Sequence, residues 1–157
     1  MSQTQLIGEY EIYIDAKGRV MIPAALKRQL PAAAHDKLVI NRGVEKCLSL
    51  YPFNEWQLIS HEMNKLNLYV KDNRDFARYF FRGATELQLD ASNRILIPKP
   101  LLEYAGIEKE IVLFAYSNRI EVWSKKQYHQ QMDEEPRDFV KLSEQVMGKV
   151  NGNINLS

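Results

Sequence analysis

Residues 8–23, GEYEIYIDAKGRVMIP, return at 83–98 as GATELQLDASNRILIP. An offset of 75 residues superposes Gly8 on Gly83, Glu11 on Glu86, Asp15 on Asp90, Ala16 on Ala91, Arg19 on Arg94, Ile22 on Ile97 and Pro23 on Pro98. Ile12, Ile14, Val20 and Met21 fall opposite Leu87, Leu89, Ile95 and Leu96, so the apolar class holds where the letters differ. The unit is longer than the common solenoid repeats, which makes it a duplicated half-domain and predicts a pseudo-twofold molecule. What is duplicated is both a core and a charged loop.

Each copy reads as the same run of elements. Tyr10, Ile12 and Ile14 alternate with Glu9, Glu11 and Tyr13, the period of a half-buried strand. The DAKGR segment is then a turn: Asp15 accepts backbone N–H groups at its start, and Gly18 takes a positive φ, a role Asn93 fills in the second copy. Val20-Met21-Ile22 resumes a short strand, and Pro23 opens a helix over 24–30. A pair of β patterns closes each copy, KLVINR with CLSLY in the first and EIVLFAY with RIEVW in the second. Between these pairs the second copy is slightly shorter, so that Leu38 aligns with Ile111 or Val112, and Leu48, Leu50 and Tyr51 align with Ile120, Val122 and Trp123.

The boundaries follow: a first repeat over 5–53, a helical linker over 54–82, a second repeat over 83–128, a C-terminal helix over 133–148 and a disordered tail over 149–157. In the linker Trp56, Ile59, Met63 and Leu66 lie at helical spacing after Asn54, an expected N-cap, and Phe76, Tyr79 and Phe80 define a second helix beginning near Asp72. These aromatics read as core, while Arg74, Arg78 and Arg82 form a basic stripe that reads as a solvated face paired with Asp75 or a neighbouring subunit in preference to a phosphate contact. Asp133 to Pro136 make a helix start, and Phe139, Leu142, Val146 and Met147 give that helix an apolar stripe in need of a surface.

Composition narrows the function classes. A chain of 157 residues with 45% hydrophobic content buries a respectable core. No apolar run is long enough to span a bilayer and the N-terminus lacks a secretory pattern, so the expectation is a cytosolic protein with no membrane partner. Cys47 is alone, which excludes an intrachain disulfide, leaves a thiolate zinc site without support and reads as a buried, inert thiol. A net charge of +1 does not favour nucleic acid by itself, so local placement must carry that reading.

Asp15 with Arg19, and Asp90 with Arg94, sit four apart on turns, and Lys17 adds a second cation to the first. A turn of this kind on two short strands can enter a DNA groove, with Arg on guanine and Lys on phosphate. The plainer reading is that each Asp and Arg merely fasten their own turn. Duplicated aspartates also raise an acid/base dyad of Asp15 and Asp90, but each is followed by an Arg that keeps it ionised, and neither loop has the Asp-Thr/Ser-Gly pattern of such enzymes. His35, His61 and His129 have no partner at metal-ligand or triad spacing, and no Gly-rich phosphate loop is present, so no catalytic residue, metal, cofactor or small-molecule substrate is expected.

The doubled D-A-x-x-R-[VI]-x-I-P segment, the G-x-x-E-[IL]-x-[IL] before it, the RYFFRGATELQLD passage and the closing RIEVWSKKQY resemble the MraZ family, over roughly residues 5–145. Single copies of the motif are also similar to the wider AbrB-like class of swapped-hairpin DNA binders. The resemblance implies an α+β fold in which two AbrB-like half-barrel repeats form one pseudo-twofold β-barrel core with peripheral helices. It implies a sequence-specific transcriptional regulator, typically a repressor of its own operon in the division and cell-wall cluster, cytoplasmic and nucleoid-associated. It further implies a homo-oligomeric ring that meets direct repeats in promoter double-stranded DNA. Asp15, Lys17, Arg19, Asp90 and Arg94 are the DNA-binding residues on this resemblance, the arginines as contacts and the aspartates as their holders. The second loop departs from the family pattern with Asn93 before its Arg and Ser92 in place of Lys17, so the first loop is expected to add more phosphate affinity. The competing readings are a protein-interaction adaptor and the dyad enzyme.

Overall fold

Each copy contributes four strands, and the copies exchange them. The computed structural model describes residues 3–133 and 138–155. The first copy supplies β1 (Leu6–Tyr13), β2 (Arg19–Met21), helix α1 (Ala24–Lys27), β3 (Lys37–Arg42) and β4 (Leu48–Pro52). Helices α2 (Phe53–Met63) and α3 (Lys71–Phe81) follow, then β5 (Thr85–Gln88), β6 (Arg94–Leu96), α4 (Lys99–Ala105), β7 (Glu110–Ser117) and β8 (Arg119–Ser124). Helices α5 (Lys125–Asp133) and α6 (Phe139–Asn155) end the described chain.

Six strands form an antiparallel sheet in the order β1-β7-β8-β4-β3-β5, and β2 pairs with β6 as a separate two-stranded ribbon. Exchanging the copies turns the sheet order into its own reverse, which is the predicted pseudo-twofold. The first strand of each copy pairs with the third strand of the other, so the hairpins are swapped within one chain. Register fixes the alignment left open by sequence: Ile12 pairs with Ile111 and Leu87 with Leu38, so Leu38 corresponds to Ile111. The axis passes between Val20 and Ile95 in the ribbon and between Ser49 and Glu121 in the sheet.

Every strand sends at least one buried side chain into a single core, with Val20, Ile95, Leu38, Ile111, Leu50 and Ile120 among its members. Sheet and ribbon therefore enclose one barrel-like core, although their hydrogen bonds run as two ladders and not as one closed one. On the other sheet face Cys47, Val112, Trp123 and Tyr128 pack together beneath α5. Burial pushes the Cys47 thiol up to about 12, in keeping with an inert group.

Local chemistry explains the elements. Pro23 and Pro98 precede α1 and α4 in both copies and accept the first helical N–H bonds on their carbonyls. Helix α1 is shorter than the 24–30 expected from sequence. Pro52, and not Asn54, occupies the N-cap of α2, because the chain leaves β4 directly into the helix. Asn54 is the second residue of that helix.

The linker aromatics divide. Trp56 stacks on Phe80 at 6.0 Å and meets Phe81 edge-on at 5.7 Å, a half-buried aromatic cluster between α2 and α3 and outside the main core. Phe76 and Tyr79, expected in the core, stay 56% and 67% exposed, and α3 has no buried residue. The basic stripe is partly satisfied within the chain: Arg74 donates to the carbonyls of Leu68 and Tyr69, and Arg78 lies 3.8 Å from Asp75. Helix α6 runs past the expected end at 148 to Asn155, which corrects the reading of that stretch as a disordered tail. Its apolar stripe, Phe139, Leu142, Val146 and Met147, remains exposed. The expected helix start at Glu134, Glu135 and Pro136 lies outside the described residues, as do 156 and 157.

Candidate functional site

The two repeated loops leave the core at equivalent places and are built from the same bonds. Asp15 N–H donates to the Arg19 carbonyl at 3.1 Å, and Gly18 N–H to the Asp15 carbonyl at 3.0 Å. In the second loop Asp90 N–H reaches the Arg94 carbonyl at 3.0 Å and Asn93 N–H the Asp90 carbonyl at 2.9 Å. Each is a three-residue hairpin loop closed by a left-handed residue, Gly18 at φ 88° and Asn93 at φ 60°. Gly18 meets a second demand, since a Cβ there would stand 3.2 Å from the Ile97 carbonyl oxygen.

That carbonyl geometry reflects a cross-brace. Ile97 N–H donates to the Gly18 carbonyl at 2.9 Å, and Ile22 N–H to the Asn93 carbonyl at 2.8 Å. Each loop is thus held by the strand end of the other copy, so the two tips form one rigid unit.

The aspartates organise the side chains. Asp15 Oδ1 accepts the backbone N–H groups of Lys17 at 2.9 Å and Arg19 at 2.8 Å, while its Oδ2 accepts Arg19 Nε at 2.7 Å. Asp90 repeats this with Ser92 at 2.8 Å, Arg94 N–H at 2.8 Å and Arg94 Nε at 3.0 Å. The backbone N–H of Arg19 holds Asp15 below the usual carboxylate range, and that of Arg94 does the same for Asp90. Both carboxylates are therefore ionised and committed to their turns. A shared-proton dyad needs the opposite, a carboxyl raised above its ordinary value, so the geometry counts against that reading.

Holding Arg through Nε leaves the other edge of the guanidinium facing away. Among the described residues no group accepts from the Nη nitrogens of Arg19 or Arg94, whose side chains are 35% and 34% exposed. Two parallel N–H donors on a fixed planar fork suit a bidentate acceptor. The turn-fastening reading and the contact reading are then compatible, because the carboxylate that fastens the turn also aims the arginine.

The ribbon sets both arginines on one surface. Val20 and Ile95 point into the core, so by the alternation of a strand Arg19, Met21, Arg94 and Leu96 point outward. Lys17 stands exposed at the first tip and Ser92 at the second. Met21 and Leu96 correct the sequence reading, which placed them in the repeated core; they are 57% and 56% exposed. Period-2 alternation around the buried Val20 and Ile22 was the available signal. The cross-brace had no local signal, since it joins residues of different copies.

Elsewhere among the described residues no group of three or more His, Cys, Asp or Glu gathers to hold a metal, and no helix is long and apolar enough to cross a membrane. His129 on α5 lies 3.8 Å from Glu11 on β1.

The family model described as "MraZ protein, putative antitoxin-like" matches the chain twice, over 6–79 and 80–148. A protein of Christiangramia forsetii named transcriptional regulator MraZ is 48% identical over 144 residues, 91% of this chain and 93% of the relative. Its namesake in Flavobacterium psychrophilum is 44% identical over 147 residues, covering 93% and 94%. The one in Clostridium beijerinckii is 41% identical over 140 residues, covering 89% and 95%.

Proposed function

Because the chain belongs to the MraZ family, we propose that it is a sequence-specific DNA-binding transcriptional regulator without catalytic activity. It acts in the cytoplasm, at the nucleoid, as a repressor of its own division and cell-wall gene cluster. The relatives are named transcriptional regulators, which supports the class. The observation that carries the reading is the pair of partly exposed arginines, each fixed through Nε on an aspartate, on the outer face of one two-stranded ribbon. A ribbon of this width fits the major groove, roughly 12 Å wide, where Arg bonds guanine bidentately. Asp15 and Asp90 position; Arg19 and Arg94 contact; Lys17 adds a phosphate contact on the first loop.

Each half-domain, 5–53 and 83–128, then carries one contact loop, while the linker 54–82 and the C-terminal helix build an assembly. With a net charge of +1, one protomer binds weakly. A ring of protomers on direct promoter repeats compensates through effective concentration. The exposed apolar residues Phe76 and Tyr79 of α3, and Phe139, Val146 and Met147 of α6, are the surfaces such a ring would cover.

The same apolar faces favour the adaptor as a second reading. A titration of the full chain with duplex upstream of its own gene, across salt, separates the two. A regulator is retained with an affinity that falls steeply with salt, whereas an adaptor is not retained by duplex and instead holds a stable protein partner.

A further inference from the structure

The outer face of the β2–β6 ribbon carries more than its arginines. Arg19 lies opposite Leu96 and Met21 opposite Arg94, so the arginines occupy one diagonal of the ladder and the two apolar side chains the other. A single exposed apolar residue needs no account. These two recur at the same position in both copies, both more than half exposed, on either side of the pseudo-twofold and each directly across from a guanidinium. A surface meant only for phosphate would gain nothing from them.

We propose that Met21 and Leu96 are specificity-determining residues that pack on thymine C5-methyl groups in the major groove while Arg19 and Arg94 engage acceptors beside them. The inference rests on the DNA-binding reading above. The thymine methyl is the apolar group that base edges present in that groove, lying beside the acceptors that arginine reads. Diagonal neighbours in an antiparallel ladder lie roughly 7–8 Å apart. Base pairs rise about 3.4 Å each, so the four outward side chains cover about three base pairs. The flexible thioether of Met21 adapts to a methyl whose position varies with local groove shape. Duplex RNA fits poorly on two grounds, a deep narrow major groove and uracil without the methyl.

Met21 and Leu96 are outside the core, so shortening them leaves the fold in place and lets binding be read directly. The test uses the full-length protein and a B-form duplex selected by it from a random-sequence library, remade with each thymine in turn replaced by deoxyuridine. Losing one packed methyl is worth about fourfold in affinity. We expect one or two positions where deoxyuridine weakens binding about fourfold, and loss of that penalty in Met21→Ser or Leu96→Ser with the salt slope unchanged. Tolerance of deoxyuridine everywhere, a selected site with no thymine at its fixed positions, or a penalty that persists in the double variant overturns the inference while leaving the DNA-binding reading intact. Failure of the unmodified protein to select any duplex ends both.

Discussion

Asp15 accepts Arg19 Nε at 2.7 Å through one carboxylate oxygen and two backbone N–H groups of its own turn through the other. One side chain thereby shapes the loop and aims the guanidinium. Asn at this position separates the two tasks, since its carbonyl oxygen still accepts the turn N–H groups while its amide N–H₂ confronts a second donor at Nε. Asp15→Asn is expected to weaken duplex binding about tenfold, the worth of a hydrogen bond to a charged group, with the salt slope unchanged. Fluorescence anisotropy with labelled duplex measures both. A thermal melt within a few degrees of the parent shows that the turn has survived.

The same aspartates set an acid limit. Both carboxylates are held below their ordinary value of 3.8, chiefly by the backbone N–H groups of Arg19 and Arg94. A group depressed in the folded state contributes stability that is present above its unfolded value and lost as pH falls through the folded one. Stability from this source is therefore constant from neutral pH down to the ordinary carboxylate range and declines below 3.8. Thermal melts at successive pH values should show a steeper acid loss for the parent than for the Asp15→Asn, Asp90→Asn double variant. Equal losses would contradict the assignment.

Gly18 answers to two constraints and Asn93 to one. Gly18→Ala places a Cβ on a left-handed backbone and 3.2 Å from the Ile97 carbonyl oxygen. It is expected to cost about 1–2 kcal/mol in chemical denaturation. Asn93→Gly keeps the conformation available and is expected to be nearly neutral. Because Gly18 and Ile97 belong to different copies, Gly18→Ala should also disturb the second loop, visible as amide shift changes at Asn93 and Arg94.

Assembly should depend on faces that the single chain leaves uncovered. Phe76→Asp with Tyr79→Asp alters residues 56% and 67% exposed, so the folded protomer should retain its circular dichroism while the mass from light scattering falls. Val146→Asp on α6 is expected to act in the same direction. A mass unchanged by all three substitutions would remove both faces from the proposed assembly.

The repeat made the pseudo-twofold legible in the sequence, because a shared Asp, Arg and Pro at a constant offset require equivalent turns. The alternation of Tyr10, Ile12 and Ile14 gave the first strand, and the left-handed positions of Gly18 and Asn93 followed from residue chemistry. Which strands pair was not legible from local pattern, since β1 finds β7 across most of the chain. Met21 and Leu96 share an apolar run with their buried neighbours, and only one step of alternation, a weak signal in a three-residue strand, marks them as outward. Phe76 and Tyr79 depart from expectation for another reason: a helical stripe announces that a face is to be covered and not whether the cover belongs to the same chain. In the candidate site the residue pairs could be read, but the clamp through Nε and the brace from the opposite copy are properties of three-dimensional closure.

The central claim is that Arg19 and Arg94, held by their aspartates on one ribbon, read a duplex. Affinities of the parent, Arg19→Ala, Arg94→Ala and the double variant for a selected duplex and for a random one test it most directly. Each single change should cost the selected duplex about 1–3 kcal/mol, the worth of a bidentate base contact, and the double variant should keep only the small preference that Met21 and Leu96 supply. A double variant that is folded and still prefers the selected duplex as strongly as the parent contradicts the account.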